Sequence, residues 1–242
     1  MTHTHHLRLL LATGLLALST TSVQAAPLTQ WLSTGDVAQA PQLGFISFGS
    51  NAYLLGTAST NFTDDAPFAA GALNLSGNNA ADISALTSTL GLAATAFDNE
   101  TAFNYAYEGS ALFSTLVVQA GDTLSFDWRL LGQISTGPVA VPDAAWLTLG
   151  ADVVELGDIS SLSNTTDGWL DSGSLHVSHT FLQAGSITVG FVVADIDSYD
   201  TTSVLAVQNL ALTPAVPEPS SIALLLTSLG ILGGVSARRR QT

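Results

Sequence analysis

The 242-residue sequence contains no cysteine and no lysine. Without cysteine there are no disulfides, thiol nucleophiles or thiolate metal sites. Without lysine the fixed cations are five arginines: Arg8, Arg129, Arg238, Arg239 and Arg240. Four of these lie at the two ends. Residues 26–216 therefore set one Arg against every acid but Glu218 of the chain's 19. A surface of that sign repels phosphate backbones and anionic lipid headgroups, which excludes a nucleic-acid partner. It suits solubility, cation binding or a hydrated polysaccharide layer. Charge of this kind often goes with disorder, but 47% of the residues are hydrophobic. A central stretch of that composition buries enough apolar surface to fold without staples.

Long hydrophobic runs are scarce and confined to the ends. Residues 1–8 are polar and weakly basic, residues 9–18 apolar, and residues 20–25 polar and small. Val23-Gln24-Ala25 places small side chains where a signal peptidase reads them, so the sequence predicts an N-terminal signal helix cut after Ala25. His3, His5 and His6 fall in the discarded part. At the other end Pro217-Glu218-Pro219 precedes an almost wholly apolar stretch, 220–237, and then Arg238-Arg239-Arg240. Eighteen residues are enough for a short transmembrane helix, and the arginines favour a cytoplasmic C-terminus. The two prolines keep the segment before the span extended and open to a protease. The expected organisation is a signal peptide at 1–25, an exported domain at 26–212, a linker with the Pro-Glu-Pro motif at 213–219, a transmembrane helix at 220–237 and a basic tail at 238–242.

In the middle, Leu124, Phe126, Trp128 and Leu130 alternate with Thr123, Ser125, Asp127 and Arg129. That period of two marks a strand with one buried and one wet face. Ile187, Val189, Phe191 and Val193 follow the same rule. Further strands are expected at 43–48, 111–118, 145–149, 152–156, 174–182 and 203–212, with Gly, Asn, Asp and Ser between them. Gln119-Ala120-Gly121 and Gln183-Ala184-Gly185 each stand between two strands and predict hairpins. One helix is expected, capped by Asp82, with Ile83, Leu86 and Leu90 on one side and Gly91 ending it. The fold class is mostly β: a jelly-roll-like β-sandwich with one short helix, flanked by the signal helix and the transmembrane helix.

Catalytic constellations are missing. No Gly-x-Ser-x-Gly elbow occurs. His176 and His179 are the only histidines of the exported part, and three residues apart on a strand they point to opposite faces. His179 shares the packed face with Val177 and Phe181. Asp127 beside Arg129 reads as a surface ion pair, and no carboxylate pair stands out for glycoside hydrolysis. Asp195, Asp197 and Asp200 gather in the loop after a strong strand and are the candidate calcium ligands. The Gly and distal Glu of an EF-hand loop are absent. Trp31, Trp146 and Trp169 are candidate saccharide platforms, with Trp169 in a turn-like Asp167-Gly168 context; Trp128 faces the core.

The C-terminal pattern, Val216-Pro217-Glu218-Pro219-Ser220, the apolar span with Leu229-Gly230-Ile231-Leu232-Gly233, and the three arginines, resembles the PEP-CTERM sorting signal. The resemblance implies an exosortase as processing partner, a transient hold in the inner membrane, and delivery to the cell surface or the exopolysaccharide matrix of a biofilm. A second resemblance runs through Glu108-Gly109-Ser110-Ala111, Asp122-Thr123-Leu124-Ser125-Phe126-Asp127-Trp128, Asp143-Ala144-Ala145-Trp146 and Ser203-Val204-Leu205-Ala206-Val207-Gln208-Asn209. These look like exported bacterial domains that often carry this tail, and they imply a lectin-like sandwich, with Glu108 as a further ion ligand. Gln208 stands where such domains often have Asp, and Leu131-Gly132-Gln133 replaces an acidic pair. The expected function is a non-enzymatic, exosortase-processed surface protein associated with exopolysaccharide. A secreted glycan hydrolase and a calcium-stabilised adhesion module are the alternatives.

Overall fold

A computed structural model of the chain describes residues 26–28, 30–61, 69–99, 104–134, 141–197 and 201–215. The expected signal helix with its cleavage site Ala25, the Pro217-Glu218-Pro219 motif, the expected transmembrane helix and Asp200 lie outside the described residues. Among the described residues no helix is long and apolar enough to cross a membrane.

Among the described residues sixteen strands and one α-helix follow in chain order. The first seven strands are short: β1 (Ala26–Pro27), β2 (Leu32–Thr34), β3 (Asp36–Gln39), β4 (Gln42–Leu43), β5 (Ile46–Ser47), β6 (Tyr53–Gly56) and β7 (Ala81–Asp82). The helix α1 (Ile83–Leu90) comes next, then β8 (Ala106–Val118), β9 (Thr123–Ile134), β10 (Ala144–Leu149) and β11 (Asp152–Asp158). The chain closes with β12 (Asn164–Thr166), β13 (Trp169–Asp171), β14 (Leu175–Thr180), β15 (Gly185–Ile196) and β16 (Thr201–Thr213). Two sheets face each other. One runs β12-β13-β9-β16-β6-β3, with β14 also on β9 and β1 also on β16. The other runs β11-β10-β15-β8-β2, with β7 also on β8. All these pairings are antiparallel. The architecture is a mostly β sandwich.

The alternation expected of β9 holds: Leu124, Phe126, Trp128 and Leu130 point into the inter-sheet core and meet Val189, Phe191 and Val193 of β15. Phe126 and Phe191 touch edge to face, 4.7 Å between centroids. Two smaller cores lie on the outer faces. Leu86 and Leu90 of α1 cover Ala111 and Val192 on the second sheet. Ile46 of the β4–β5 hairpin covers Leu54, Leu131, Trp169, Val204 and Ala206 on the first. Leu131 therefore breaks the alternation because its face is roofed there. The helix caps as its sequence dictates. Asp82 accepts the Ser84 N–H, and Gly91 takes the left-handed conformation at φ 71° that favours glycine.

Two expectations are corrected. Residues 43–48 are no single strand. Gly44 turns at φ 56°, and β4 and β5 form a small hairpin. The two Gln-Ala-Gly turns are not hairpins either. β8 and β9 belong to different sheets, as do β14 and β15, so each turn is a corner that carries the chain across the sandwich. The two corners abut: the Gly121 N–H donates to the Phe181 carbonyl at 2.7 Å, and the Phe181 N–H to the Asp122 carbonyl at 2.8 Å.

Candidate functional site

A groove of about 700 Å3 lies on the outer face of the second sheet, beside α1. Its position follows from the register of β10. Trp146 lies across from Val192 on one side and Glu155 on the other. A bulge at Leu156 of β11, opposite the Ala145–Trp146 step, shifts that second pairing and sets Glu155 on the face of Trp146. The floor is Trp146 and Phe97, with ring centroids 5.0 Å apart and planes tilted by 47°. Both rings are almost covered, so they shape the groove more than they offer a stacking surface.

The rim is polar and acidic. Asp98, Asn99 and Asn104 line one side, and Glu155, Asp158 and Ser160 the other. Asn99 and Asn104 exchange backbone hydrogen bonds at 2.9 and 3.1 Å, which closes the loop. One Asp98 oxygen accepts the Ala106 N–H at 2.9 Å. One Asp158 oxygen accepts the Ser161 N–H at 3.0 Å. The second oxygen of each, and the exposed Glu155, remain to meet a ligand's hydroxyl or cation. Such a rim over an apolar floor suits a polyhydroxyl ligand.

Of the expected calcium ligands, Asp195 and Asp197 fall among the described residues and Asp200 outside them. Asp195 continues the inward row of Val189, Phe191 and Val193 and is 1% exposed. Asp197 follows the strand at φ 53°, and its N–H donates to the Tyr105 carbonyl at 3.1 Å. Glu108 pairs directly with Asp195 across β8 and β15. Asp143, fully buried, precedes Ala144, which pairs with Ala194; it accepts the Ser203 hydroxyl at 2.6 Å. The register thus brings Glu108, Asp195 and Asp143 to neighbouring strand positions. Among the described residues no three of His, Asp and Glu are gathered as ligands of one metal ion.

The ion pair expected between Asp127 and Arg129 does not form. Both sit on the outer face of β9, but Arg129 forks onto Asp171 with Nε 2.8 Å and Nη2 2.5 Å from its oxygens. Thr166 and Gly173 also donate to Asp171, and the Arg129 hydrogen bonds hold its carboxyl down to about 2. Asp127 instead meets His176 at 2.7 Å, and its other oxygen accepts the Asn209 amide at 2.6 Å. Partial burial works against the Asp127 charge, but the Asn209 and His176 bonds outweigh it and lower its pKa. His179 is packed as expected, edge to face with Phe181 at 5.0 Å.

Of the four tryptophans, Trp128 is in the core, and Trp31 packs on it 5.6 Å from Phe191. Trp169 is buried under the β4–β5 hairpin and offers no exposed platform, which corrects the turn-based expectation. The turn is real, with Asp167 and Gly168 both at positive φ, but β13 pairs with β9 and sets the ring on the outer face that the hairpin roofs.

The PEP-CTERM protein-sorting motif matches residues 215–240. No curated protein matches the sequence. Among solved structures, a carbohydrate-binding module of family 61 in complex with β-1,4-galactotriose is similar at TM-score 0.36 and 10% identity, covering 78% of this chain and 90% of that one. A carbohydrate-binding module of family 4 is similar at TM-score 0.31 and 12% identity, covering 75% and 92%. Likeness at these scores assigns no activity.

Proposed function

We propose that the protein is exported cargo of a sorting system. A signal peptidase releases it after Ala25. The span at 220–237 holds it in the inner membrane with Arg238–Arg240 on the cytoplasmic side. An exosortase then cuts at Pro217-Glu218-Pro219, and the sandwich passes to the cell surface. The observation that carries this reading is the sorting motif at residues 215–240. Deleting residues 217–240 tests it. The truncated protein is expected to change its location and lose its membrane-bound precursor; unchanged processing and location would overturn the reading.

At the surface the sandwich acts by association with exopolysaccharide and not by turnover. The acidic groove over Trp146 and Phe97 supports this, being lined by hydroxyl-recognising groups over an apolar floor. Glu155→Trp would fill the groove from an exposed position without touching the core. Loss of co-sedimentation with the host's purified polysaccharide, with an unchanged melting temperature, is the expected result. Undiminished binding would place the glycan contact elsewhere.

A further inference from the structure

Both ends of the described chain and both corners meet at one pole of the sandwich. Ala26 pairs with Leu212, so the chain enters beside the strand by which it leaves. β16 ends at Thr213, and the Ala215 N–H donates to an Asp122 oxygen at 2.8 Å. Asp122 belongs to the first corner, whose Gly121 bonds the second corner at Phe181. Two large apolar side chains stand out at this pole: Leu182 is 87% exposed and Val117 is 74% exposed.

Charge is distributed against this pole. In the segments 117–123, 180–188 and 210–215, Asp122 is the sole charged side chain. It is buried, and its two oxygens accept the Gln119 and Ala215 N–H groups. The opposite end of the sheets carries Glu108, Asp143, Asp195 and Asp197, and the groove adds Asp98 and Asp158. The β10–β11 turn, whose Gly150 N–H meets the Thr188 carbonyl, sets the exposed Asp152 back from the tip. In so acidic a chain, a tip of leucine and valine without exposed charge, set where the tail departs, matches what a lipid surface admits. Carboxylates are repelled by anionic headgroups, whereas exposed aliphatic side chains gain by entering the interface. The tether is also short. Four residues, 216–219, separate Ala215 from Ser220, so the five Cα steps span roughly 17 Å fully stretched. A headgroup layer takes up about 5–7 Å of that reach.

We propose that, while the tail is still attached, this pole rests on the bilayer, with Leu182 and Val117 in the interfacial layer and the acidic groove turned away from it. The proposal rests on the reading of residues 220–237 as a membrane span. The absence of cysteine makes single-site labelling direct. The full chain is reconstituted in phosphatidylethanolamine–phosphatidylglycerol vesicles doped with nitroxide lipid, and a fluorophore is placed by Gln183→Cys, Ser160→Cys or Ser228→Cys. At least twofold quenching is expected at positions 183 and 228 and none at 160, with that at 183 lost when Leu182→Glu and Val117→Glu are added. Quenching at 228 but not at 183 would overturn the docked pole and leave the span intact. Quenching at neither would overturn both. Quenching at 183 that survives the two glutamates would reduce the contact to the tether alone and remove the apolar tips from it. Quenching at 183 that needs added sorting protease would make the occupant a protein.

Discussion

Asp122 ties the start of the sorting tail to the folded domain: one oxygen accepts the Ala215 N–H at 2.8 Å and the other the Gln119 N–H at 2.8 Å. A carboxylate that holds two backbone donors at a corner fixes where the chain leaves the sandwich. Asp122→Ala strands both donors in a site that is 6% exposed. The expected cost is about 2–3 kcal/mol of unfolding free energy, measurable in urea. Residues 214–215 should also become faster to cleave by an added protease. A loss under about 0.5 kcal/mol would mean that the tail start is not held.

Arg129 and Asp171 predict an acid transition. The carboxyl of Asp171 titrates lower in the folded chain, about 2, than its ordinary 3.8. Its contribution, roughly 2 kcal/mol, is therefore fully present above about pH 5 and lost as pH falls towards 2. Arg129→Met should destabilise by about 3 kcal/mol at pH 7 by leaving the buried carboxylate unpaired. At pH 2 the difference from the parent chain should shrink. Equal losses at both pH values would show that packing against Phe48, whose ring lies 5.7 Å from the Arg129 Cζ, dominates instead.

The cap of α1 yields a third expectation. Asp82→Ala removes the side chain that accepts the Ser84 N–H, at a cost of about 1 kcal/mol. Asp82→Asn should recover most of it. Because Leu86 and Leu90 roof the sheet beside the groove, chemical shifts at Phe97 and Trp146 should report the loss. A helix unaffected by the alanine would show that tertiary packing alone holds it.

What the chain order reveals, and what it hides, follows from range. The inward set Leu124, Phe126, Trp128 and Leu130 is written within one strand, and the Asp82-to-Gly91 helix within ten residues, so both were readable. The partner of Asp127 was not. His176 lies 49 residues on and is brought opposite by the β14–β9 register. The two Gln-Ala-Gly corners looked like hairpins because nothing local says which sheet the next strand joins. The groove was hidden for the same reason. Trp146 was a candidate, but Phe97, Asp98, Glu155 and Asp158 meet it only through the bulge in β11 and the loop after α1. Glu108, 87 residues before Asp195, is brought opposite it by the β8–β15 register, a pairing no local pattern reveals.

The intact mass of the protein recovered outside the cell tests the central claim most directly. The account predicts a species that starts at Ala26 and ends within Pro217-Glu218-Pro219, together with a cell-bound precursor that retains residues 220–242. An external species that still carries 220–242, or a precursor that never shortens at the C-terminus, would contradict it.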